Sequence, residues 1–185
     1  MNKPIMSLIT VSYNSEKTIG DTIESVLIQD YEAIEYIIID GGSTDSTVEI
    51  INSYKDKVQI VVSEPDKGIY DAMNKGVRLS SGDIIGVINS DDFYPNRKII
   101  SSVVELFIQN PSSQLVLGGI DFVKASDINK SVRKFTSKYF TPKLMRFGIM
   151  PPHPAAFIKK TAYLKVGEYK LGYKIAADFD LLLRM

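Results

Sequence analysis

The chain has 185 residues, 22 basic and 22 acidic side chains, one histidine, no cysteine and no tryptophan. With 44% hydrophobic and 24% charged residues it can bury a core, and its length suits one domain, since a domain spans roughly 100–200 residues. The charge balance offers no general basic field for nucleic acid, the missing cysteines remove disulfides, thiolate nucleophiles and cysteine-based zinc sites, and the single histidine leaves any metal to oxygen ligands. No apolar run exceeds four residues, far short of the roughly 18–20 needed for a spanning helix. The N-terminal residues lead into no signal-peptide core, so a cytoplasmic protein is expected.

In chain order, Ser7–Val11 reads as a buried strand followed by the turn Tyr13-Asn14-Ser15. Ile19, Ile23, Val26 and Leu27 then recur at helical spacing, with Ser15 expected as the N-cap. Ile34–Ile39 is the next strand and runs into the polar stretch from Asp40 to Asp45. Ser46-Thr47-Val48-Glu49 has capping-box spacing and opens a helix through about Tyr54. Val58–Val62 reads as a third strand, Glu64–Gly68 as a loop, Ile69–Leu79 as a helix and Asp83–Asn89 as a fourth strand. A helix marked by Ile99, Ile100, Val103, Val104 and Phe107 ends at Asn110-Pro111, and strands are expected at Leu115–Leu117 and Ile120–Val123. Residues 124–154 are polar and basic, then proline-rich, and a last helix opens at Ala176-Ala177-Asp178.

Repeated strand–helix units predict an α/β fold with a mostly parallel sheet flanked by helices. The segment after Val123 is expected to form a lobe packed on the sheet within the same single domain. Ligands of such sheets sit outside the carboxyl ends of the strands. That places Asn14, Asp40, Asp66, Lys67, Asp91 and Asp92 at one rim.

Each of these residues has a plain reading and a chemical one. Asp91-Asp92, directly after a strand, is either a solvated turn or a pair that a cation such as Mg²⁺ or Mn²⁺ would stabilise. Asp40 either starts an Asx-turn or holds a base or ribose edge. Lys67 beside Gly68 is either a surface lysine or a phosphate partner. Asp178 and Asp180 suit the dipole of a helix start, and either could act as a general base. His153, between two prolines, reads as a core or substrate contact ahead of a catalyst.

Taken together, the ordered motifs resemble the family 2 glycosyltransferases, whose nucleotide-sugar fold is the Rossmann-like GT-A type. The matching stretches are 7–14, 37–45, 66–76, 82–85 with 89–92, and Ala177-Asp178 with Asp180-Leu181. The resemblance implies that Val11, Tyr13 and neighbours line the nucleotide pocket and that Asp40 sits beside the base. It implies that Lys67 approaches the diphosphate, Asp91 the ribose and metal, and that Asp92 is the principal ligand of Mg²⁺ or Mn²⁺. Asp178 would be the base that deprotonates the acceptor, with His153 on the acceptor side and inversion at the anomeric carbon. The implied partners are a nucleoside-diphosphate sugar, UDP-linked by preference, and a saccharide or lipid-linked acceptor, in cell-surface polysaccharide or glycolipid synthesis. The setting would be the cytoplasm or the inner face of the membrane, with a homo-oligomer left open. Two positions depart from the family pattern: Gly41 stands where a second Asp is common, and Ala177 where a Glu is common. A sugar nucleotidyltransferase would show a glycine-rich loop after the first strand, and Tyr13–Lys17 has no glycine. The alternative from another class is a non-catalytic nucleotide-binding module or a glycosyltransferase fragment that has lost turnover.

Overall fold

The computed structural model describes residues 3–124, 127–173 and 175–185. Its main sheet has six strands in the order β3-β2-β1-β4-β8-β5. Strands β1 (Met6–Ser12), β2 (Ile34–Asp40), β3 (Ile60–Ser63) and β4 (Ile84–Asn89) run parallel. Helices α1 (Ile19–Leu27), α2 (Thr47–Ser53) and α3 (Ile69–Leu79) connect them. After α4 (Ile99–Gln109), β5 (Leu115–Leu117) pairs antiparallel with β8 (Ala156–Lys159), which itself pairs antiparallel with β4. Strands β6 (Ile120–Lys124) and β7 (Asp127–Phe135) form a separate two-stranded sheet. Helices α5 (Lys160–Val166) and α6 (Ala177–Arg184) complete the chain.

The period of two along each strand sorts the core onto two faces. Leu8, Ile38 and Ile88 pack with Ile23, Ile51 and Val104 on the side of α1, α2 and α4. Ile9, Ile37 and Val87 pack on the other side with Met73 of α3 and Leu181 of α6. Because both faces are covered, strands that read as continuous apolar runs are buried throughout. At Gly76 the approach of α3 to β1 is so close that a Cβ there would lie 2.4 Å from Ile9 Cγ2. No larger residue permits that spacing.

Two local expectations are corrected. Ser15 does not cap α1 with its side chain: the helix begins at Ile19, four residues on, and the Ser15 hydroxyl shares a hydrogen bond with Ser90 instead. Ser46 is the N-cap of α2, but the capping-box bond is absent. Asp45 accepts from the Thr47 N–H, and Glu16, from the loop after β1, accepts from the Ser46 N–H. Ser90 and Glu16, each from another loop, thus take up groups that local capping was expected to use, while Asp45 serves from within the α2 loop itself. The segment after 124 also does more than cover the sheet, since it supplies β8 between β4 and β5. Among the described residues no helix is long and apolar enough to cross a membrane.

Candidate nucleotide-sugar site

The strand register brings Ser12, Asp40 and Ser63 into one row at the carboxyl edge of the sheet, with Asn89 beside Val11 at the end of the neighbouring strand. Beyond that row lies a cleft of about 1260 Å³, lined by the loops after β1, β2, β3 and β4. The β1 loop is laced to the β2 loop. Asn14, in a left-handed conformation at φ 48°, donates its N–H to Ser43 Oγ and accepts from the Thr44 N–H. The Ser15 N–H donates to Thr47 Oγ1. At Gly42, φ is 82° and a Cβ would lie 3.1 Å from Pro65 N, which lets the β2 and β3 loops close together.

Val11, Tyr13 and Asp91 line the cleft. Asp40 does not. Its side chain is 0% exposed, and all its acceptor capacity is used by this chain. Ser12, Ser43 and Ser63 hydroxyls and the Gly42 and Ser43 N–H groups donate to it. Burial alone would raise its pKa, but these donors hold it below the ordinary carboxylate value. The expected contact with the base is therefore corrected: Asp40 braces the ends of β1, β2 and β3 beneath the cleft. Lys67 is exposed and does not line the cleft, although Asp66 and Gly68 on either side of it do. Lys17, which sequence reasoning passed over, does line it. Only the folding of the β1 loop distinguishes it from other surface lysines.

At the end of β4, Asp91 is exposed to the cleft and Asp92 is half-buried. Burial, with the negative charge of Asp91 beside it, raises the Asp92 pKa above the ordinary value, against a hydrogen bond donated by Asn89 at 3.1 Å. Asn89 Oδ1 is buried and has no partner. A repelled carboxylate pair beside an orphaned oxygen acceptor suits an oxygen-ligand cation. Among the described residues no group of three or more His, Asp or Glu side chains is gathered for a metal. Such an ion would complete its shell from its ligand and water.

Near the end of the chain, α6 opens at Ala177 after Ala176, which is left-handed at φ 70°. Tyr70, in the first turn of α3, donates its hydroxyl to Asp178 Oδ1 at 3.2 Å. Asp180 is occupied by Lys170 and Arg184, both at 2.8 Å, and this lowers its pKa. Of the two carboxylates, Asp178 is the one left facing a neutral partner. His153 shares a 2.7 Å hydrogen bond with the Tyr169 hydroxyl, and the Tyr169 ring stacks on Tyr70 with centroids 5.7 Å apart. Burial lowers the His153 pKa, opposed by the charge of Asp178. The structure thus brings Asp178 and His153 into one polar, aromatic cluster behind the first turn of α3.

A mostly parallel sheet with a cleft at its carboxyl edge is an α/β architecture whose ligands sit at the strand ends, and solved structures share it. The chain superimposes on Staphylococcus aureus TarS 1–349 in complex with UDP-GlcNAc with a TM-score of 0.80, at 19% identity over 97% of this chain and 52% of that one. The mannosyltransferase PcManGT of Pyrobaculum calidifontis, in complex with GDP-Man and Mn²⁺, gives 0.72 at 18% identity, over 96% and 50%. The fold is of the GT-A type. Residues 7–164 match the profile of glycosyl transferase family 2, and the chain belongs to that family. An uncharacterized glycosyltransferase of Mycobacterium tuberculosis, Rv1514c, is 34% identical over 98% of this chain and 68% of its own length. A PGL/p-HBAD biosynthesis glycosyltransferase of Mycobacterium bovis is 27% identical over 100% and 70%. The chain spans about half the length of the solved proteins it matches.

Proposed function

We propose that this chain forms the donor-binding part and a portion of the acceptor side of an inverting glycosyltransferase. The donor is a UDP-sugar and the acceptor a hydroxyl of a saccharide or lipid-linked saccharide. Residues 1–123 supply most of the donor cleft and 124–185 the acceptor side. The observation that carries the reading is the pairing of two features: an acidic pair at the end of β4 beside the cleft, and Asp178 hydrogen-bonded by Tyr70 of α3, the helix whose first residues line that cleft.

Val11 and Tyr13 border the nucleotide, and Lys17 supplies positive charge where a diphosphate would lie. Asp91 and Asp92 would hold Mg²⁺ or Mn²⁺, which offsets the charge that develops on a departing nucleoside diphosphate. Asp178 accepts the proton of the acceptor hydroxyl as its oxygen bonds to the anomeric carbon. The bond from that carbon to the diphosphate oxygen breaks on the opposite face, which inverts the configuration. His153 and Tyr169 shape the wall behind the base. A cytoplasmic location, at the membrane face when the acceptor is lipid-linked, follows from a water-soluble donor.

The test is UDP binding by calorimetry with and without Mn²⁺, in the wild type and in Asp92→Asn. Wild-type binding should strengthen with Mn²⁺. In the variant that gain should vanish while the thermal transition stays near the wild-type value. Equal Mn²⁺ dependence in both proteins would refute the metal assignment.

A further inference from the structure

We propose that Asp66 is the residue that selects the base of the nucleotide, and that Gly41 is small in order to leave room for it. The proposal rests on the nucleotide-sugar reading above and adds to it the residue and atom that recognise the base. The loops around the cleft follow the strand order, so Asp91 after β4 stands at one end, and the Asp66 carboxylate, from the loop after β3 but packed against Gly41 at the end of β2, stands toward the other. Two strand spacings of about 4.8 Å put about 10 Å between these positions. With the diphosphate at the Asp91 end, the base lies at the end formed by the β2 and β3 loops.

Three carboxylates, Asp40, Asp45 and Asp66, and one carboxylate position, 41, stand at that end, and Asp45 is already engaged by the Glu16 N–H, the Thr47 N–H and the Thr47 hydroxyl. Asp40 is buried and saturated by donors of its own chain. Position 41 has no side chain. A Cβ built there would lie 2.6 Å from Asp66 Oδ2 and 3.1 Å from its Cγ, so the Asp66 carboxylate occupies the space that a residue-41 side chain would enter. Asp66 and Gly41 both line the cleft. Asp66 Oδ1 accepts the Gly68 N–H at 2.7 Å, which fixes the carboxylate in its turn. Oδ2 has no hydrogen-bond partner within the chain among the described residues. It is an acceptor held in place on the cleft wall. Uracil presents an N3–H donor where cytosine presents an N3 acceptor, so a fixed carboxylate oxygen attracts the first and repels the second.

This geometry makes a clean substitution available. In Asp66→Asn the Gly68 N–H still requires an oxygen at the Oδ1 position, which turns the amide N–H₂ toward the place of Oδ2. The turn survives while the acceptor becomes a donor. Gly41→Ala is the independent probe: Gly41 does not have a positive φ, so its backbone accepts alanine, and the new Cβ displaces Asp66 Oδ2.

The experiment measures UDP and CDP affinities by calorimetry in Mn²⁺ buffer for the wild type and both variants. The wild type should prefer UDP by at least about 10-fold. Asp66→Asn should weaken UDP by about 10–100-fold, the range for a charged hydrogen bond, and bring the two nucleotides to parity or reverse them. Gly41→Ala should shrink the preference in the same direction, and both variants should melt near the wild type. Should Asp66→Asn fail to fold, Gly41→Ala decides the matter alone. A wild type that binds UDP and CDP equally, or variants that keep the wild-type preference, would overturn the role of Asp66 while leaving the donor cleft intact. A wild type that binds neither nucleotide would overturn the donor reading itself.

Discussion

The donor edge and the β6–β7 hairpin are built by opposite means. At the donor edge, loops from four strands are hydrogen-bonded to one another, and a buried carboxylate, Asp40, gathers five donors from three strand ends. In the hairpin, eight of the nine residues of β7 are exposed, Val132 at 62%, and among the described residues β6 and β7 pair only with each other. The surrounding stretch 124–150 holds seven basic residues and one acidic, whereas 1–123 holds nine basic and eighteen acidic. The comparison separates preorganisation from surface presentation. The cleft owes its shape to the interior of the fold, whereas the exposed residues of the hairpin lie outside that interior.

Four experiments break or sharpen this contrast. The largest effect is expected where the donor edge meets the acceptor side. Asp178→Asn should lower turnover by about 10²–10⁴-fold with donor affinity near wild type, the usual range for loss of a general base. Turnover and nucleotide binding measured separately check it, and turnover within a few-fold of wild type would transfer the role to another residue. Next, Asp40→Ala strands buried donors and should destabilise the fold by about 3 kcal/mol or more, read by urea denaturation. The folded pKa of Asp40 is depressed, so its contribution is complete above the unfolded carboxylate value and is lost as pH falls through the lower folded value. The stability gap between wild type and variant should therefore narrow in acid. Gly76→Ala should drive a methyl into Ile9 and cost about 1–3 kcal/mol, the range for overpacking. The smallest effect belongs to the hairpin, where Val132→Ser should change stability by no more than about 0.5 kcal/mol.

Much of the scaffold was legible because its signals are local. The helix from Ile69 to Leu79 was read to the residue, since its periodicity runs unbroken from Gly68 to Ser80. The Asx-turn at Asp40 was also readable, and the Gly42 and Ser43 N–H groups close it. What escaped was set by register between strands. Ser12 and Ser63 reach Asp40 only because β1 and β3 flank β2 in that alignment. The β8 run Ala156–Ile158 is too short for periodicity to tell strand from helix, and its partners are remote in sequence. Asp178 and Asp180 both read as acids at a helix start. Only the positions of Lys170, Arg184 and Tyr70 separate them.

The place of β8 has a consequence for biosynthesis. Among the described residues, the flank of β4 beside Ile84–Gly86 is closed only by Phe157–Lys159, and β5 joins the sheet only through that same strand. As the chain emerges from the ribosome, β1 to β4 can pair in succession, but β4 must keep one bare edge until some seventy further residues have been made. A nascent chain halted before Ala156 would thus carry an exposed, strongly apolar strand edge next to the acidic pair. Such an intermediate offers a docking edge to any other extended chain, and the last strand to arrive is the one that removes it.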